Sequence, residues 1–282
     1  MTNAFNTAET PSHPPSFGLL IIGDEILSGK RADKHLPKVA ELMAARGLSL
    51  AWARCVGDDR ARITAALREA FANNEVVFSC GGIGATPDDH TRQCAAAALG
   101  VELALHPEAK TLIEQRMREI ATEHGEAFDP QRPDNVHRYN MGVFPVDARV
   151  IQNPYNKIPG FSCMGHRGGI VHFFPGFPVM AWPMIESVLD EQYLACQRPG
   201  AWLERSVVVM GAMEAALTPL MEGIEREHEV KVFSLPSVDH PQFGRHIELG
   251  VKGEPAAVGV AFVQLLMGLQ EQGARLGPEM VR

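Results

Sequence analysis

The sequence predicts an α/β protein: a three-layer, mostly parallel sheet with helices on both faces, followed by a small α+β domain. Three observations carry that expectation. Between Phe17 and Leu99, apolar runs of strand length alternate with segments of helical period. Polar loops bounded by glycine follow those runs, as at Gly23-Asp24-Glu25 and Gly57-Asp58-Asp59. Past residue 198 the order becomes β-α-β-β-α, which suits a small α+β module.

Phe17 to Ile22 is an apolar strand ending in the polar loop Gly23 to Gly29, the position at which open α/β sheets hold ligands. From Asp33, the residues Leu36, Val39, Ala40 and Met43 recur at helical spacing until Gly47 closes the segment. Leu48 to Cys55 is strand-like, and Val56-Gly57-Asp58-Asp59 turns the chain. Asp59 suits the cap of a helix whose Ile63, Ala66, Leu67, Ala70 and Phe71 face the core, leaving Asp58 at the strand's end. Val76-Val77-Phe78 is a buried strand that opens into Gly81-Gly82-Ile83-Gly84, ahead of a helix from Arg92 to Leu99 closed by Gly100.

A strand opening through glycines into a helix turns backbone N–H groups toward an anion at the positive end of a helix dipole. Asp88 and Asp89 place two carboxylates beside that seat, a combination suited to a phosphate bridged by a divalent cation. The same residues also suit a tight turn and a helix cap. Strands alternating with helices imply right-handed crossovers, so all three loops leave one edge of a parallel sheet. Asp24, Glu25, Asp58, Asp88, Asp89 and the glycines therefore gather by topology.

Downstream, Val101 to Leu105 is a short strand, 107–124 a helix stopped by Gly125, and Phe128 to Asn140 a loop. Strands follow at 143–146, 150–153 and 169–174, then a Pro175-Gly176-Phe177-Pro178 turn into a helix over 179–194. Gln197 to Gly200 marks a boundary between domains 17–197 and 198–276. The second has strands at 203–210, 230–233 and 246–251 and helices at 213–227 and 255–270. Residues 1–16 are expected as a disordered tail without the apolar core of a signal peptide, and 277–282 as a second tail.

Composition narrows the function. With 45% hydrophobic residues and a net charge of −8, the chain lacks the basic excess of a non-specific nucleic-acid binder. Five cysteines without a CxxC spacing and eleven histidines without HExxH give no disulfide framework or zinc site, which points to a reducing cytoplasm. No apolar run approaches a membrane span.

Five separated motifs carry a family likeness: Gly23-Asp24-Glu25-Ile26-Leu27-x-Gly29 with Asp33, Val56-Gly57-Asp58-Asp59, Gly81-Gly82-Ile83-Gly84-x-Thr86-x-Asp88-Asp89-x-Thr91, Ile158-Pro159-Gly160, and Pro175-Gly176-Phe177-Pro178. In this order they resemble the molybdopterin-binding (MoCF-biosynthesis) domain of CinA-like competence/damage-inducible proteins over about Phe17 to Leu194. The segment from Trp202 resembles the small domain that follows it there. The amidase domain that often ends those proteins has no counterpart, so its deamidation is not carried over.

The resemblance implies a molybdopterin adenylyltransferase-like fold that binds molybdopterin or a nucleotide pyrophosphate. Adenylyl transfer or Mg²⁺-assisted cleavage of an ADP-ribose-type phosphoanhydride is the implied activity, with a non-catalytic pterin- or nucleotide-binding protein as the alternative. It places Asp58, Asp88 and Asp89 in catalysis, with Asp58 and Asp89 at Mg²⁺. Gly81, Gly82, Ile83 and Gly84 would hold phosphate through their amides, with Thr86 beside them and Thr91 donating a hydrogen bond. Asp24, Glu25 and Ser28 would line the opposite wall, and Asn153 and Gly176 the rim. The family's usual Thr, Pro, Asn and Ala are replaced by Cys80, Ala85, His35 and Ile158. The implied partners are a small phosphate-bearing ligand and further copies of the chain in a homo-oligomer.

Overall fold

Strand β1 (Ser16–Ile22) turns Phe17, Leu19 and Ile21 to one face and Leu20 and Ile22 to the other, all but fully buried. A strand apolar on both sides must be covered on both sides. The computed structural model describes residues 15–282, which fall into two compact units, one ending at Gln197 and the other spanning Arg198–Arg282. Of the expected tail 1–16, residues 1–14 lie outside the described residues, and Ser16 already belongs to β1.

After β1 come the one-turn helix α1 (Asp24–Leu27), α2 (His35–Ala44), β2 (Leu50–Val56), α3 (Arg60–Ala72), β3 (Glu75–Cys80) and α4 (Thr91–Leu99). The chain continues through β4 (Leu103–Leu105), α5 (Pro107–Glu123), α6 (Pro133–Arg138), β5 (Val143–Pro145), β6 (Arg149–Ile151), β7 (Gly160–Met164), β8 (Ile170–Phe174) and α7 (Pro178–Gln192). The six-stranded sheet has the order β2-β1-β3-β8-β7-β6. β2, β1, β3 and β8 run parallel, β7 pairs antiparallel with β8, and β6 pairs antiparallel with β7 at the sheet's edge. α2 and α7 pack on one face around Val39, Met43, Met184 and Ile185. On the other face lie α3, α4 and α5, with Ile63, Leu67, Ala95 and Ala109. This is the expected three-layer arrangement.

Several local expectations are corrected. Helix α2 buries His35, Val39, Leu42 and Met43, whereas Leu36 is 40% exposed and Ala40 faces out. The cause is Asp33, whose carboxylate accepts the amides of His35 at 2.8 Å and Leu36 at 3.0 Å and so sets where the first turn begins. The expected loop 128–140 contains α6, followed by a 3₁₀ turn at Tyr139–Gly142. Six helical residues are too few to print a period, and the helix is anchored by Arg132 bridging Glu126 and Asp134. β7 also went unforeseen. Its Gly160, Phe161, Ser162 and Cys163 are all buried, so no alternation marks it, and a Cβ at Gly160 would lie 2.3 Å from the Phe173 carbonyl oxygen. β4 joins β5 in a separate antiparallel ribbon.

The second unit runs β9 (Leu203–Met210), α8 (Glu214–Glu227), β10 (Val230–His240), β11 (Gly244–Gly253), α9 (Pro255–Glu271) and β12 (Arg275–Val281). Its antiparallel sheet has the order β10-β11-β9-β12, a split β-α-β arrangement with Val207, Val209, Leu249 and Val251 packed on Leu217, Phe262 and Leu265. The expected tail 277–282 is thus corrected: most of it is strand β12, paired with β9. Gly277 and Pro278 hid it from the sequence, because a proline is tolerated where a strand lies at a sheet's edge beside a register shift. Pro236 concealed the length of β10, the opposite edge strand, in the same way.

Candidate functional site

Ile22, Val56, Cys80 and Phe174 end four adjacent parallel strands, and the register aligns those ends in one row. Each is followed within two residues by a glycine: Gly23, Gly57, Gly81 and Gly176. Backbone bonds tie neighbouring loops together, Gly23 N–H to the Val56 carbonyl and Gly81 N–H to the Phe174 carbonyl, both at 3.0 Å. The site follows from that row.

Asp24 and Asp58 interlock. The Asp24 amide donates to Asp58 Oδ2 at 2.8 Å, and the Asp58 amide returns a bond to Asp24 Oδ1 at 3.1 Å. Gly57 makes this possible, because a Cβ there would lie 2.4 Å from Asp24 Oδ1. Burial raises the Asp58 carboxyl above the usual range, and the charges of Asp24, Glu25 and Asp88 raise it further against the pull of the Asp24 amide. One oxygen of each aspartate remains without an internal donor among the described residues. Ser28 closes α1, its amide bonded to the Asp24 carbonyl at 2.8 Å.

Across from the pair, the glycine turn is braced from behind. Thr91 is fully buried, its hydroxyl on the Gly81 carbonyl at 3.1 Å and its amide on the Gly82 carbonyl at 3.0 Å. Gly82 has φ +68°, and a Cβ there would strike Thr91 Oγ1 at 2.1 Å. Among the described residues the amides of Gly82, Ile83 and Gly84 meet no acceptor within the chain. The acid row and these free amides share the strands' carboxyl edge.

Other expected roles change. The Gly81 amide is committed to Phe174, so it cannot hold phosphate. The Thr91 hydroxyl is committed to the turn. Asp89 Oδ2 takes the Thr86 amide at 2.8 Å and the Thr86 hydroxyl at 2.5 Å, so that carboxylate clasps its own loop, and its charge acts on Arg92. The acid of this loop whose charge reaches Asp58 is Asp88. Asn153 is not on the rim: it is 3% exposed and knots its own turn, donating to Asn156 Oδ1 and the Ile158 carbonyl and accepting from the Tyr155 amide. Among the described residues no group of three or more His, Cys, Asp or Glu is arranged to hold a metal.

Gly176 lies beside the glycine turn. A Cβ on it would lie 3.5 Å from the Gly81 Cα, and its carbonyl is held 3.0 Å from Nε2 of buried His35. Sequence reading placed no role on His35, although its spacing from the capping Asp33 was the available signal. Phe177, 56% exposed beside Gly176, offers a flat apolar surface at the same edge. Cys80, in place of the family's Thr, is buried, and burial pushes its thiol up, so it contributes no anion at this site.

A mostly parallel sheet with helices on both faces, carrying paired acids and a braced glycine turn along its carboxyl edge, is the architecture of an open α/β domain. The chain belongs to the family described as "Probable molybdopterin binding domain", whose profile matches residues 18–195. It is similar to a CinA-like protein of Geobacter sp. (strain M21), 34% identical over 208 residues, covering 73% of this chain and 47% of that one. A CinA-like protein of Anaeromyxobacter sp. (strain Fw109-5) is 35% identical over 161 residues, 57% of this chain and 37% of the other. The chain thus spans less than half the length of these curated relatives. Among solved structures, the protein CinA from Thermoplasma acidophilum, described as of unknown function, superposes with a TM-score of 0.53 at 26% identity, covering 64% of this chain and 99% of that one. Among the described residues no helix is long and apolar enough to cross a membrane.

Proposed function

We propose that this chain binds a pterin phosphate or a nucleotide pyrophosphate at the strands' carboxyl edge and cleaves a phosphoanhydride of the ADP-ribose type with the help of Mg²⁺. The observation that carries the reading is the run of amides at Gly82, Ile83 and Gly84 without internal acceptors, facing the same edge as the Asp24–Asp58 pair. Unpaired main-chain donors in a turn braced against movement favour an anion there.

The donor set also fits the metal. Mg²⁺ takes one or two carboxylates and completes its shell with water and substrate oxygens. Asp24 and Asp58 each keep an oxygen free, and the strain of like charge on Asp58 is what a cation relieves. A bound Mg²⁺ would neutralise charge on the phosphate oxygens. The protein's own part is electrostatic: the amides receive negative charge on phosphoryl oxygen, and Asp88 at the loop's tip orients water. Phe177 offers its ring to a pterin or nucleobase. Asp89 acts through Thr86 by fixing the loop.

Titration with ADP-ribose, FAD and molybdopterin, with and without Mg²⁺ and with product analysis by mass spectrometry, tests the reading. Saturation accompanied by Mg²⁺-dependent products supports it. Saturation without product makes the chain a binder, and no saturation by any of the three removes the proposal.

A further inference from the structure

On the far side of the glycine loop lies a second cavity, about 340 Å³ in volume, with Arg60, His90, Arg92 and Gln93 at its polar end. Arg92 is unusual. It is 4% exposed, yet among the described residues its guanidinium is engaged at one position, Nη1 on the Ile83 carbonyl, and forms no ion pair. A guanidinium has five N–H donors, and burying its charge without a carboxylate is costly. Burial accordingly pulls Arg92 down to about 10, with the Asp89 charge opposing. Arg60 is likewise without a carboxylate partner among the described residues, and its Nη2 lies 3.1 Å from Nδ1 of His90.

The helix above them is open at the same place. α4 has no side-chain cap, and among the described residues the amides of Arg92 and Gln93 in its first turn meet no acceptor. Two guanidiniums and a free helix N-terminus therefore converge on one space. Asp89 also lines it but offsets one charge of two. Ala85, Pro87, Leu103 and Val143 also line it and give part of its wall an apolar character that a carbon skeleton can use.

We propose that this cavity binds the phosphate end of an organic phosphate monoester, with Arg60, Arg92 and the first turn of α4 as its anion seat and the apolar wall against the esterified group. A tetrahedral dianion matches forked guanidinium donors and axial amides together, which a single carboxylate does not. The volume lies within the range of small-molecule sites and exceeds what inorganic phosphate fills. The inference does not require the Asp24–Asp58 reading, since none of these cavity residues belongs to that pair.

Calorimetric titration of the full chain with inorganic phosphate and with ribose 5-phosphate, at constant ionic strength and with Mg²⁺ present so that an anion at the glycine turn would depend on Asp58, tests it in the wild type, R60Q, R92K and D58N. The expected result is saturable binding of ribose 5-phosphate, tighter than inorganic phosphate, weakened about tenfold or more in R60Q and retained in D58N. R92K should weaken binding as well if it folds. R60Q, at an exposed helix start, keeps the test decisive if R92K does not fold. Wild-type affinity in R60Q, or no saturation in the wild type, overturns the proposal. Loss in D58N equal to that in R60Q would place the phosphate at the glycine turn and overturn it too, whereas failure of the pyrophosphate reading alone would leave this binding intact.

Discussion

At Asp58, burial first and then the charges of Asp24, Glu25 and Asp88 raise the carboxyl above its ordinary range, against the pull of the Asp24 amide. Its folded-state pKa is raised above the unfolded value. The stability it lends is therefore complete below the unfolded carboxylate pKa and is lost as pH rises through the folded one. Asp58→Asn removes that loss while its amide oxygen can still accept the Asp24 N–H bond. The variant should be as stable as the wild type near pH 3.5 and more stable at pH 7 by up to about 0.5 kcal/mol, and it should lose Mg²⁺-dependent cleavage. Urea unfolding at the two pH values checks the first part, and a less stable variant at pH 7 would contradict it. Asp58 and Asp24 were legible in the sequence because strand order alone fixes which loops are neighbours. Thr91 and Asp89 were legible as neighbours of the glycine turn but not in their roles, and Asn153 was read as a rim residue although it knots its own turn. A hydroxyl or carboxylate beside a glycine turn reads the same whether it faces a ligand or the turn's own carbonyls and amides, and that depends on a few ångströms of loop path.

The glycine turn and α4 work as one element because Thr91 ties the helix's first residue to two carbonyls of the turn. Thr91→Val keeps the volume and removes the hydroxyl, which should cost about 1–3 kcal/mol by orphaning a buried bond and weaken pyrophosphate binding through a looser turn. Equal ligand affinity in that variant would argue that the turn is rigid without its brace. A second buried relay joins β7, β8 and the end of α7. Ser162 Oγ lies 2.7 Å from His172 Nδ1, and His172 Nε2 lies 2.8 Å from the Tyr193 hydroxyl. Burial holds His172 down at about 3. Its contribution to stability is thus full above the unfolded pKa of about 6.5 and declines as pH falls toward 3, by up to ~1.4 kcal/mol per unit. His172→Phe should flatten that acid slope while costing about 2–4 kcal/mol at pH 7 for two stranded hydroxyls, measurable by urea unfolding at pH 7 and pH 5. Elements with a long apolar period were readable in advance, and α3 buries the five residues its spacing named. β7 and α6 were not, since a strand buried on both faces does not alternate and a six-residue helix has no stripe.

At the scale of the molecule, each unit closes its own sheet with its own helices. The residues that make the acid row, the glycine turn and the Arg60–Arg92 cavity all precede Gln197. The second unit, Arg198–Arg282, has a separate core built on Val207, Leu249 and Phe262. Gln197-Arg198-Pro199-Gly200 carries residue types of a boundary, whereas nothing in the sequence marked β12, and without β12 the second sheet lacks an edge strand beside β9. A fragment ending at 197 should therefore fold and bind a nucleotide pyrophosphate with the affinity of the full chain. A fragment starting at 198 should fold when it reaches 282 and fail when cut at 276, because the cut strips Glu279, Met280 and Val281 from their pairing with Val207, Ser206 and Arg205. Circular dichroism melts of the two C-terminal fragments decide this. Cooperative melting of the 198–276 fragment at the temperature of the longer one would show that β12 adds nothing to that core, and its pairing would then have to be explained by something other than the stability of the unit.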